Sequence, residues 1–468
     1  MDDSSLKDKD PNAAHRADTA VPLTAARKIA IGIGDFGFNF YWQIASLYLL
    51  YFYTDVLKLP PATAGAIYMA ALIWDGALDP IVGLLADRTR SRFGRYRPFL
   101  LLGAVPLAIA FVLMLASPTY PATGAVALTT ITHFAFRTLY AVVSVPFTAL
   151  SARITRDAGV RADITAARMV SATLSAVLVA MATLPLVGLF AKAVGVRVAW
   201  MVLGALYALC ATIILLATAY AAKGLDASTE EDPSGPSFLA KVRATSANWP
   251  LFLVLLAVAV TSFVNTIFQK NILYYFKYVI GDAKRGSWAL GLLALVAAVS
   301  VPLWAFVARR WGKRVAWLAG LVPFFIGVLL WYLADGSDTT TLFTALGVMS
   351  FGLGAYYVSF WAMLPDTVEF GEWRTGVRSE SLAFGLLVLG QKAALGLGAG
   401  FLGLTLARTG YVADGVQSAQ TLHAIKDMML WAPLIGGVIA GALIAFYPIS
   451  PARHRAMVQE IASRQRPI

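Results

Sequence analysis

The chain is poor in cysteine, histidine and charge. Its one cysteine, Cys210, excludes an intramolecular disulfide framework and, lying in an apolar run, reads as packing. Four histidines in 468 residues leave no metal-ligand spacing, and neither a nucleophile–base pair nor a phosphate loop accompanies them. An enzyme, with or without a cofactor, is therefore not expected. Charged residues make up 14% of the chain, against roughly 25% in soluble proteins. Residues 1–24 are polar and of mixed charge, and the first apolar run is too long for a cleavable signal, so a disordered tail is expected there.

What fills the chain instead is apolar sequence, 59% of all residues. Runs of about 20 residues, each able to cross a bilayer, follow one another from about residue 28 to residue 449. They predict an all-α membrane protein with about twelve spans: 28–56, 61–86, 98–116, 122–151, 165–190, 197–222, 248–277, 287–308, 313–334, 340–365, 380–407 and 428–449. Arginine and lysine concentrate in alternate loops. Arg88, Arg90, Arg92, Arg95 and Arg97 fill the second, and Arg309, Arg310, Lys313 and Arg314 the eighth. Positive-inside topology then puts both termini in the cytoplasm, and it accounts for the net charge of +12 without nucleic acid. The longest polar break, 223–247, divides six spans from six. The expected parts are a tail (1–24), a first bundle (25–222), a cytoplasmic linker, a second bundle (248–450) and a cytoplasmic tail (451–468). "SRFGRYR" after span two echoes "RRWGKRV" after span eight, as in transporters built from repeats.

Several polar residues at membrane depth need a reason. Asp75 and Asp79, four residues apart, project from one helix face inside "IWDGALDP". Each carboxylate costs a few kcal/mol in hydrocarbon, so the pair reads as a site for Na⁺ or H⁺ unless it is a structural ion pair. Asp35 and Asn39 share a face of span one, where "GIGDFG" fails as a dinucleotide motif because no strand precedes it. Arg137, Arg168, Lys270 and Lys392 also fall within spans. Snorkelling explains Arg168 and Lys270, while Arg137 or Lys392 alternatively neutralises one of the aspartates. His133 reads as packing.

"WDGALDPIVGLLADRTRSRFGRYRPFLLLG" (74–103) resembles the second span and following loop of glycoside–pentoside–hexuronide:cation symporters of the major facilitator superfamily. "YTDVLKLP" (53–60), "VPFTALSARIT" (145–155) and "LPDTVEFGEWRTGVRSESLAFG" (364–385) match in order, so the resemblance covers nearly the whole chain. It implies two pseudo-symmetric six-helix bundles, a central cavity and alternating access driven by a cation. It also implies a cation site at Asp75 and Asp79, and substrate contacts at Arg168 and Lys392. The chain departs from the melibiose-transporting members: Phe38 and Asn39 stand in place of a lysine and an aspartate. Ser144, Thr148 and Tyr357 replace an aspartate and two tryptophans. Two acids are thus lost while Arg137 and Lys270 are gained, with Asp35 as a partial offset.

Such a cavity suits an acidic sugar, a hexuronide or a sulfonated glycoside. The expected substrate residues are Asp35, Asn39, Arg137, Ser144, Thr148, Arg168, Lys270, Tyr357, Gln391 and Lys392. Asp87, Arg97, Asp366, Glu369, Glu372, Arg374 and Arg378 are the expected cytoplasmic gate, since gates of this superfamily use acid–base pairs. The expectation is a monomeric symporter in the inner (plasma) membrane, coupled to Na⁺ or H⁺. The rival is a sodium-dependent lysophospholipid-type carrier of the same fold, which would need an apolar cleft between the bundles.

Overall fold

The computed structural model describes residues 23–116, 122–155, 158–226, 237–334 and 338–464. Most of the expected N-terminal tail, the centre of the linker (227–236) and the last four residues lie outside that set. Among the described residues there is no strand, and eleven unbroken helices are long and apolar enough to cross a bilayer. In hydrocarbon every backbone group must find its partner inside the segment, and long apolar segments therefore become helices.

The first expected span is the exception, because it is not one helix. It comprises α1 (Ala25–Gly32) and α2 (Gly34–Gln43), then two π-turns, Ile44–Tyr48 and Phe52–Val56, on either side of a short α-helical turn. The remaining spans of the first half are α3 (Pro61–Arg88), α4 (Arg97–Met114), α5 (Ala122–Arg153), α6 (Ala158–Val194) and α7 (Val196–Ala221). A short helix, α8 (Phe238–Ser246), lies within the linker. The second half holds α9 (Trp249–Tyr274), whose last turn continues as a π-turn over Tyr275–Val279, and α10 (Ala283–Trp311). There follow α11 (Lys313–Leu333), α12 (Thr339–Thr375), α13 (Glu380–Arg408) and α14 (Ala419–Ala445). The expected tail is largely a fifteenth helix, α15 (Pro451–Arg464), not a free end. It docks on α12, with Trp373 donating to Glu460 (2.7 Å) and Met457 buried.

The two basic turns that echo each other in sequence share a glycine with positive φ. Gly94 (φ +104°) and Gly312 (φ +99°) both occupy the left-handed region that other residues avoid. Their surroundings match as well. Gly94 abuts Asp226, just after the sixth span, and Gly312 abuts Pro451, just after the twelfth. Asp226 also accepts from the backbone N–H of Tyr96 (2.7 Å) and Arg97 (2.9 Å), capping α4.

The halves meet along two seams, α3 against α13 and α6 against α10. The first is the tighter: a Cβ on Gly65 would meet the backbone of Ala399, Gly400 and Gly403. Small residues let helices in lipid approach this closely. That approach fixes what faces what further along the seam, where Gly76 lies against Lys392.

Candidate functional site

Because α3 and α13 lie so close, the aspartates of one meet the lysine of the other. The Nζ of Lys392 is 2.6 Å from Oδ2 of Asp79 and 3.0 Å from Oδ2 of Asp75. Arg137, from α5, adds a second cation, with NH1 3.6 Å from Asp75 Oδ2. Asp75 and Arg137 are completely buried. The four formal charges cancel, as the low dielectric demands.

Hydrogen bonding in this cluster is far from complete. Neither oxygen of Asp75, nor Oδ1 of Asp79, nor NH1 and NH2 of Arg137 has a hydrogen-bond partner among the described residues. Lys392 reaches Asp75 at ion-pair distance without hydrogen-bond geometry. Each such buried group typically costs about 1–3 kcal/mol. Arg137 is held instead by the rings of Trp42 (5.6 Å), Tyr68 (5.9 Å) and Phe136 (5.7 Å), and its Nε donates to Nε2 of His133 (3.3 Å). His133 thus orients Arg137. Three carboxylate oxygens are left facing one another's charge with no donor.

Beside the cluster is a central cavity of ≈ 510 Å³, walled by both halves. Of the substrate residues expected from sequence, Asn39, Lys270, Tyr357, Gln391 and Lys392 line it. Five do not. Arg168 is bound through Nε and NH2 to the carboxylate of Asp35, so this arginine already has its anion. Arg137 belongs to the aspartate cluster. Ser144 and Thr148 are bonded to each other along α5, Thr148 Oγ1 donating to the Ser144 carbonyl at 3.0 Å.

The wall holds residues that sequence reasoning passed over. Gln43 donates to Asn39 (3.1 Å), and Gln269 donates to Asn265 (3.3 Å). These are two Asn-x-x-x-Gln ladders on spans one and seven, the equivalent spans of the two halves. Side-chain amides both donate and accept, which is what vicinal sugar hydroxyls require. Trp42, Tyr68, Tyr356 and Tyr357 add ring faces. The charged residues of the wall are two lysines, 270 and 392, with no carboxylate among the lining residues.

A third cluster, also unforeseen, ties the halves together at the end of the molecule opposite the basic loops. Asp55, in the first span's last π-turn, is buried. It accepts from Lys277, Tyr278 and Tyr411, each at 2.6 Å, and all three belong to the second half. Asp414 binds both Lys58 and Lys277. Lys58 (φ +59°) and Asp414 (φ +56°) are in the left-handed region, a strained conformation for residues other than glycine. Burial alone would raise the Asp414 pKa, but the bonds from Lys277 and Lys58 bring it below the usual carboxylate value.

Among the described residues, the expected gate residues at the basic end have the following partners. Asp87 accepts from Tyr96 (2.6 Å), and Arg97 donates to the carbonyls of Ala219 and Phe93. Asp366 accepts from Lys313 (2.5 Å), and Glu369 is bonded to His454 on α15. Arg378 bridges Glu372 and Glu380, and Arg374 donates to the Ala247 carbonyl at the end of the linker.

Comparison with known proteins agrees with the geometry. An isoprimeverose transporter of Lactiplantibacillus pentosus is 29% identical over 435 residues, covering 91% of this chain and 88% of the relative. A glucuronide carrier protein homolog of Escherichia coli K12 is 27% identical, over 94% and 95% of the two chains. Among solved structures, an inward-facing bacterial homolog of the human lysosomal transporter Spinster superposes with a TM-score of 0.66. It is 17% identical, over 93% of this chain and 99% of that one, a likeness of fold. The family model for the MFS/sugar transport proteins matches residues 30–451, and the chain belongs to that family: it is a multi-pass membrane transporter, not an enzyme.

Proposed function

We propose that this chain is a symporter of the inner (plasma) membrane that imports an acidic glycoside together with Na⁺ or H⁺. The observation that carries the reading is the Asp75–Asp79 pair, whose three unbonded carboxylate oxygens lie at membrane depth beside a polar cavity. Carboxylate oxygen is the ligand that hard cations prefer, and it is also a proton acceptor. Other features support the substrate class. The amide ladders suit sugar hydroxyls, and the wall carries lysines but no acid. The basic loops support an orientation with both termini in the cytoplasm and the Asp55 cluster, a latch between the halves, on the outside. The two halves of a single chain enclose the cavity, which is consistent with a working monomer. An apolar groove beside α9, α13 and α14 is lined by the second half alone among the described residues, so it is not the cleft between bundles that a lysolipid carrier needs.

Coupling follows from competition for the carboxylates. Lys392 and the transported cation cannot both hold Asp75 and Asp79 closely, because like charges repel. With the cation bound, the ammonium is freed on the cavity wall. The site then carries excess positive charge, whose burial is penalised until an anion enters. Carriers loaded with both solutes, or with neither, are the ones that close. Uptake into vesicles under an imposed Na⁺ or H⁺ gradient tests this. Asp75→Asn and Asp79→Asn are expected to abolish concentrative uptake while leaving sugar exchange. Concentrative uptake by both variants would make the pair structural and end the symport reading.

A further inference from the structure

Counting charges within the spans leaves one cation over. Arg137 and Lys392 are balanced by Asp75 and Asp79, and Arg168 by Asp35. Lys277 is balanced by Asp55 and Asp414. Lys270 is on α9, 2% exposed, and forms no ion pair among the described residues. Its Nζ donates to the Ser46 carbonyl and lies 4.0 Å from the ring centre of Tyr68. An ammonium offers three donors, and the Ser46 bond uses one. A neutral amide could make that bond without the several kcal/mol that burying a lone charge costs. The nearest cationic cluster makes matters worse, since Arg137 also contacts the Tyr68 ring. Yet Lys270 lines the cavity wall, as do Gln269 of one amide ladder and Tyr68.

We infer that Lys270, rather than Lys392, receives the acid group of the substrate. Lys392 is the counter-ion that the coupling cation displaces, whereas Lys270 stands ready with no carboxylate to give up. Its compact charge has no bidentate fork, so it accepts a planar carboxylate and a tetrahedral sulfonate alike. The amides of the two ladders then hold the hydroxyls. This assignment rests on the sugar-transport reading but not on its cation coupling.

Equilibrium binding to purified full-length protein in fixed NaCl separates the two. The probes are matched pairs, a glucuronide against the glucoside and a sulfoquinovoside against the quinovoside. Wild type should prefer the acidic member of at least one pair by about thirtyfold or more, as for a desolvated charged contact. In Lys270→Gln and Lys270→Met that preference should fall to within about threefold, through weaker acid binding alone, while Lys270→Arg keeps it. Which pair shows the effect tells carboxylate from sulfonate. Retention of the preference in both neutralised variants, or tighter wild-type binding of both neutral members, would overturn the assignment. Loss of preference together with uptake that ignores cation gradients would keep this assignment and remove the symport reading.

Discussion

Replacing Asp55 with asparagine should open the latched end. The carboxylate accepts bonds from three residues of the second half, and also from Thr54 (2.7 Å) beside it. Asparagine retains one acceptor oxygen and offers an NH₂ to the other hydroxyl, so the tyrosine bonds are weakened rather than erased. What is lost outright is the charge facing Lys277. Removing one member of a buried pair costs about 3–5 kcal/mol. Here Lys277 is 20% exposed and keeps Asp414, which reduces the expected loss to about 2 kcal/mol. That corresponds to roughly a thirtyfold shift toward the conformation open at this end. The chain's single cysteine makes the assay simple. In a Cys210→Ala background, Ala176→Cys places a thiol on the cavity wall. Its labelling by a membrane-impermeant maleimide, added outside intact cells, measures opening. Asp55→Asn should raise the initial rate by up to that factor, and Lys277→Met should do likewise. The double variant should add little, because both changes remove one interaction. Unchanged labelling in both single variants would show that the cluster does not hold the halves together.

Two further outcomes follow from charge. If one cation accompanies one monoanionic sugar, the loaded carrier has the charge of the empty one, and a net charge of zero crosses the membrane. An inside-negative diffusion potential, worth about 2.3 kcal/mol per charge at 100 mV, should then leave initial rates of glucuronide uptake unchanged. Several-fold acceleration would require a second cation. The latch should also be indifferent to physiological pH. Its carboxylate Asp414 has a depressed pKa, so its contribution is fully present above the ordinary value of 3.8 and is lost only as pH falls through the lower folded one. The ratio of outside labelling in Asp55→Asn to that in wild type, which cancels the thiol's own rise in reactivity with pH, should therefore be constant between about pH 5 and 8, and a midpoint near pH 6 would assign control to another group.

The spans were legible because apolar length is a one-dimensional property, and Asp75 and Asp79 because charge inside such a run has no cheap explanation. Arg137 and Lys392 were legible as counter-charges, but not which aspartate each meets, since contact between residues 79 and 392 depends on the Gly65–Gly403 approach, which hydropathy does not record. Nor was the latch, because Asp55, Lys58, Lys277 and Asp414 sit at span ends, where charges are ordinary. A signal for it existed: "LYFYTDVL" (50–57) and "LYYFKYVI" (273–280) are two copies of one segment, each containing a π-turn. One copy brings Asp55 and the other Lys277, so a duplicated turn that diverged in charge became complementary across the pseudo-symmetric axis. The amide ladders tell the same story at mid-membrane. Spans one and seven each keep Asn-x-x-x-Gln, but Lys270 follows the ladder in one half, whereas Ile44 follows it in the other. On the proposed reading, duplication supplied a symmetric cavity suited to hydroxyls, and direction and charge selectivity would lie in residues such as the aspartates of α3, the lysine of α13 and the lone lysine of α9. Residues that break an internal repeat are therefore where substitutions should alter what this carrier chooses, while residues that keep it should alter whether it binds at all.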